Sequence, residues 1–211
     1  MKQKSIWLLT AFTFLLSISR IIYTSNLHFV WLNWNLFLAI VPLLFSAYLP
    51  KYENKKIKWL IILMSWALFF PNAPYLVTDL MYLAKIKPNL QIPFWYDIIM
   101  LSSFALTGLL LGFASAKIVF YQLKNKISKS WAFGSIGFYL MLSGYGVYLG
   151  RFGRYNSWDV IAQPINLLEE IADTLIHPFH HKNVYLLSIL FGSLVCLIFY
   201  SLYELIEHQK K

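Results

Sequence analysis

Two acids and two arginines are the first residues that could do chemistry. Asp79 and Asp97 could act as a base or anchor a cation, the usual tasks of a positioned carboxylate. Arg151 and Arg154 carry the planar guanidinium fork that suits phosphate or carboxylate. Asn72, Tyr75, Asn156 and Asp159 fall in the same short stretches and would add hydrogen bonds. These eight residues form the candidate ligand-binding site, with a lipid headgroup or a small molecule as the implied occupant.

Other constellations lead elsewhere. Asp173 and His177 are spaced i,i+4, with His180 and His181 close behind, and zinc favours such donors. Pro178 breaks the helical spacing, however, and no H-E-x-x-H is present, so the expectation is no metal. There is no phosphate loop, no dinucleotide fingerprint and no G-x-S-x-G, so no cofactor and no serine nucleophile is expected. Cys196 stands alone in an apolar run, which excludes an internal disulfide and suits an inert thiol.

The elements that must position these residues are apolar. Of 211 residues 59% are hydrophobic and 13% charged, about half the charged share of an ordinary soluble domain. So little charge cannot cover so much apolar surface in water, and an integral membrane protein follows. A helix needs about 20 apolar residues to cross a bilayer. Six segments qualify: residues 6–23, 32–49, 57–83, 94–121, 131–149 and 184–206. Their apolar runs are continuous rather than alternating, which predicts helices and not barrel strands. The expected fold is an all-α, six-span transmembrane bundle forming one integral membrane domain over residues 1–211.

The third span contains Pro71-Asn72-Ala73-Pro74. From Ile57 to Phe70 it reaches roughly 21 Å, short of the roughly 30 Å hydrocarbon core. Proline removes a backbone donor, so the helix is expected to break there and restart near Pro74, with Asn72 as a cap. Broken backbone at that depth must be buried in protein or line a wet cavity. Asn33, Asn35, Asp79, Asp97 and the Arg151–Asp159 stretch all fall near the same ends of their spans. Small-residue pairs at Gly108/Gly112 and Gly146/Gly150 predict close helix packing.

Charge is partitioned by loop. On the side of the N-terminus lie twelve lysines and three acids; on the other side lie six basic and six acidic residues. The whole net charge of +9 therefore belongs to one face. By the positive-inside rule that face is cytoplasmic, both termini with it, and the acid/arginine residues lie at the outer face. The lysines read as contacts to the lipid bilayer, not to nucleic acid, since no aromatic-basic reading surface accompanies them. Lys2 and Lys4, the apolar run to Leu16 and Ser17-Ile18-Ser19 resemble a signal peptide, but Arg20 and a resumed apolar run favour a retained span. In the outer loop, residues 164–176 read as an amphipathic helix with Ile165, Leu168, Ala172, Leu175 and Ile176 on one face, resting on the membrane or capping the bundle.

The stretches Trp34-Asn35-Leu36-Phe37-Leu38-Ala39, Phe70 to Tyr75, Thr78-Asp79-Leu80, Trp95-Tyr96-Asp97 and Tyr148 to Asp159 resemble the signatures of a bacterial family of multi-pass membrane proteins, a domain of unknown function, over about residues 30–200. The resemblance implies a bacterial plasma membrane and supplies no activity. Two readings follow from the residues. One is a ligand-binding, transport or accessory protein. The other is a membrane enzyme acting on a lipid or lipid-linked headgroup at the outer leaflet. A transporter would want its ionisable groups near the midplane, so binding or accessory roles fit better. Nothing in the sequence fixes an oligomeric state.

Overall fold

A computed structural model describes residues 3–85 and 92–208. Nine α-helices run through these described residues, and no strand does. They are α1 (Gln3–Thr24), α2 (Trp31–Tyr48), α3 (Lys56–Phe69), α4 (Asn72–Thr78), α5 (Phe94–Lys124), α6 (Lys129–Arg151), α7 (Asp159–Ala162), α8 (Pro164–Ile176) and α9 (Lys182–His208), with 3₁₀ segments at Pro50–Tyr52 and Asp79–Lys85. Six helical stretches are long and apolar enough to cross a membrane, the third being α3, α4 and the following 3₁₀ segment together. The all-α, six-span expectation therefore holds. By internal packing the chain divides into two compact units, residues 1–119 and 120–211, and each is described by itself.

The first unit is organised around the proline break. Pro71 has no N–H, so α3 ends on the bond from Phe70 N–H to the Trp66 carbonyl, 2.8 Å. Helix α4 begins at Asn72, two residues earlier than the expected restart, which leaves Pro74 in its first turn where a missing donor is harmless. Asn72 does not cap α4, which has no side-chain cap. Its amide instead donates to the Phe69 carbonyl at 2.8 Å, closing the end of α3. The carbonyl needed a donor because the Ala73 N–H turns to Phe70, 3.0 Å.

The break is buried in protein. Phe70, Ala73 and Leu76 have no exposed surface, and α5 lies against them through two glycines. A Cβ at Gly108 would collide with the Ala73 carbonyl, and one at Gly112 would stand 3.1 Å from the Ala73 Cβ. Trp66 Nε1 donates to Ser115 Oγ at 3.1 Å in the same contact. Phe29, Leu32, Leu36 and Ala39 from the first part of the chain complete this core with Met100, Leu101 and Phe104 of α5. Thr13 and Thr107, both fully buried, bond at 2.9 Å and tie α1 to α5.

The second unit is an antiparallel pair, α6 with α9, crossing on small residues. A Cβ at Gly144 would strike the Ser188 carbonyl and one at Gly192 the Met141 carbonyl, so backbone meets backbone here. Ser128 caps α6 by accepting from the Trp131 N–H. Near the same end, Phe133 stacks on Tyr200 at 4.0 Å while the Tyr200 hydroxyl donates to the Phe133 carbonyl at 2.6 Å. Helix α8 opens with Pro164 at its first turn. It is held by its Leu167 and Thr174 side, with the Tyr185 hydroxyl donating to the Thr174 carbonyl at 2.9 Å. Its apolar face points away: Ile165, Leu168, Leu175 and Ile176 are all about two-thirds exposed.

Candidate functional site

The end of the first unit where α1 meets α2 carries charge inside an apolar frame. Asp97, in the first turn of α5, is 2% exposed. It accepts from Arg20 Nε at 2.6 Å and from Arg20 Nη2 at 3.3 Å, a side-on pair in which both carboxylate oxygens are engaged. Arg20 itself is 7% exposed and its guanidinium stacks on the Phe29 ring at 4.3 Å. A carboxylate and a guanidinium taken from water together survive only as such a geometrically good pair. Arg20 was not among the expected site residues. The signal was an arginine embedded in the apolar run of the first span, where an ionisable group needs a partner.

Asp79 opens the 3₁₀ segment after α4 and has no exposed surface. It accepts from Asn35 Nδ2 at 3.4 Å. Asn72 and Tyr75 lie half-buried on α4, one turn or two before it. Asn72 is bound to backbone as described above, and the Tyr75 carbonyl accepts from the Thr78 hydroxyl at 2.7 Å. Nearby, Asn33 donates to Ser17 Oγ at 3.0 Å, and the Tyr96 hydroxyl donates to the Leu16 carbonyl at 2.9 Å and sits 2.8 Å from Ser19 Oγ.

The remaining four candidates belong to the second unit. Arg151 is the last residue of α6 and is half-buried. Beyond it the chain doubles back: the Tyr155 N–H bonds to the Leu149 carbonyl at 3.1 Å, and Arg154 takes φ 60° to allow it. That left-handed conformation suits glycine, and a side chain there costs about 1–2 kcal/mol. The Arg154 side chain is exposed. Asp159 is buried and turned to its own loop, where its Oδ2 accepts from the Asn156 N–H at 2.6 Å while the Asp159 N–H returns to the Asn156 carbonyl at 3.0 Å. Both bonds span three residues and close a local turn, so Asp159 and Asn156 build the loop that presents Arg154.

In the stretch after α8, His181 Nε2 meets Asp173 Oδ2 at 2.7 Å, with His177 at 3.8 Å from the other oxygen. Among the described residues there is no group of three or more His, Cys, Asp or Glu that could hold a metal ion. Structure therefore brings together Asp97 with Arg20, Asp79 with Asn35, and Asn156 with Asp159.

No curated protein and no solved structure matches the chain. The family described as "Protein of unknown function (DUF1361)" matches residues 34–198, most of the chain and every one of the eight candidate residues. The chain belongs to the DUF1361 family, and its apolar helices make it a multi-pass membrane member of it.

Proposed function

We propose that the protein binds a lipid headgroup or small molecule at the outer face of a bacterial plasma membrane, with both termini cytoplasmic, in an accessory rather than a catalytic role. The observation that carries this reading is the buried Arg20–Asp97 pair together with buried Asp79. Three ionisable groups lie near one end of the first unit's spans, where α1 ends and α2 and α5 begin. Boundary depth is where a headgroup can reach them, and the bilayer midplane is where a transporter would place them. Exposed Tyr23, Trp34 and Trp95 at the same level are amphipathic aromatics of the kind that mark a membrane–water interface.

Binding is favoured over chemistry because the acids are engaged. A general base needs an oxygen aimed at substrate, and both Asp97 oxygens face Arg20. The alternative, an enzyme of lipid-linked headgroups, would use Asp79 or Asp97 as that base. The test is native mass spectrometry of protein extracted in mild detergent. A molecule retained by the wild type and lost from a folded Asp79→Asn variant supports binding. Conversion of the retained molecule to a second species by the wild type, absent in Asp79→Asn, would replace this reading with the enzymatic one.

A further inference from the structure

A cavity of about 270 Å³ opens beside the Arg20–Asp97 pair, lined by Ser19, Arg20, Tyr23, Ile92, Pro93 and Tyr96. It is smaller than the roughly 300–1,000 Å³ of pockets that enclose a whole drug-sized ligand, so it takes one end of a molecule. Most of its polar groups are already committed. The Tyr96 proton goes to the Leu16 carbonyl, and Ser19 Oγ is within bonding distance of the Leu15 and Leu16 carbonyls and of Tyr96. Arg20 is different. A guanidinium has five N–H donors, and Asp97 engages only Nε and one on Nη2. Nη1 has no hydrogen-bond partner among the described residues. Phe29 holds one face of the group and Asp97 one edge, so the remaining edge is fixed in place with two parallel donors unspent.

We infer that this cavity seats the phosphodiester of a membrane phospholipid on the free edge of Arg20. Two parallel N–H groups match two non-bridging phosphate oxygens in span and direction. The lip supports a lipid as the source: Tyr23 is 71% exposed and Trp95 60% exposed, where acyl chains and glycerol would lie. Asp97 cancels the charge of Arg20, so the site reads hydrogen-bond geometry and not net charge. It therefore accepts phosphatidylethanolamine and phosphatidylglycerol alike, and discriminates against a lipid with no phosphate. This inference rests on the binding role proposed above and names its ligand class.

The full chain in detergent is titrated with phosphatidylethanolamine, phosphatidylglycerol, diacylglycerol and inorganic phosphate, and binding is read by native mass spectrometry. Both phospholipids should bind about tenfold or more tighter than diacylglycerol, as expected for losing a charge-assisted bidentate contact. Ser19→Leu fills the cavity without touching the ion pair and should bring all three lipids to similar affinity. Millimolar inorganic phosphate should leave lipid binding unchanged. Diacylglycerol binding as tightly as the phospholipids in the wild type would overturn the inference whatever the variant does. So would unchanged phospholipid preference in a folded Ser19→Leu protein, or displacement by free phosphate, which would make phosphate itself the ligand. Retention of a phosphate-free molecule that Asp79→Asn loses would end this inference and leave the binding role standing.

Discussion

The two units handle their polar groups in opposite ways. In the first, polar side chains reach between distant segments: Arg20 to Asp97, Asn35 to Asp79, Thr13 to Thr107 and Trp66 to Ser115. In the second, they end on backbone or on a neighbour in sequence: the Tyr200 hydroxyl on the Phe133 carbonyl, Asp159 on Asn156, Thr174 on the Glu170 carbonyl and His181 on Asp173. The first unit seals polar contacts inside an apolar core, where a bond is strong and an orphan costly. The second joins two helices by glycine contact and turns an apolar face of α8 outward. The contrast is one of cross-segment polar contacts in the first unit against backbone contact and exposed apolar surface in the second.

The largest break should come at the buried pair. Arg20→Met leaves Asp97 buried with a carboxylate and no guanidinium, and should cost about 3–5 kcal/mol in detergent unfolding followed by circular dichroism. Pairing it with Asp97→Leu should recover most of that loss, because two apolar groups replace two partners together. A double variant as unstable as the single one would mean the pair is not the unit described here.

Glycine contacts come next. Gly144→Ala and Gly108→Ala each push a methyl into backbone carbonyl, and each should cost about 1–3 kcal/mol in the same measurement. Gly134, where a Cβ meets nothing within 4 Å, is the matched control: Gly134→Ala should be neutral or slightly stabilising. At the loop after α6, Arg154→Gly should raise stability by about 1 kcal/mol through relief of the left-handed strain. Loss of stability there would show that the guanidinium makes a contact worth more than the strain.

Smallest of all is the effect expected on α8. Leu168→Asp changes an exposed side chain and should move detergent stability by less than about 0.5 kcal/mol. A polarity-sensitive dye on Leu168→Cys in a Cys196→Ala background should shift its emission away from that of a water-exposed dye in vesicles, if α8 rests on the bilayer surface as its uncovered face implies. An unshifted spectrum would place that face elsewhere.

Span number and the proline break were legible because apolar run length and a missing N–H act locally. The partner of Asp97 was not legible. Arg20, inside the first span, is counted only as one more charge on the outer side, because sorting charges by face says nothing about a contact 77 residues away. Asn72 illustrates a second limit. Its type and place suit a cap on the following helix, yet its amide serves the preceding one, since the orphan at this break is the Phe69 carbonyl and not an N–H. Asp159 reads as a ligand candidate by type, and only the turn geometry reveals that it is bound to its own loop.

The central claim is that the polar end of the first unit faces outward, where a headgroup can enter it. Single cysteines in a Cys196→Ala background test it with a membrane-impermeant maleimide on intact cells. Leu27→Cys lies in the exposed loop between α1 and α2 at the polar end, and Asn54→Cys in the exposed loop before α3 at the opposite end. Leu27→Cys is expected to label in intact cells and Asn54→Cys only after permeabilisation; the reverse pattern would contradict an outward-facing polar end.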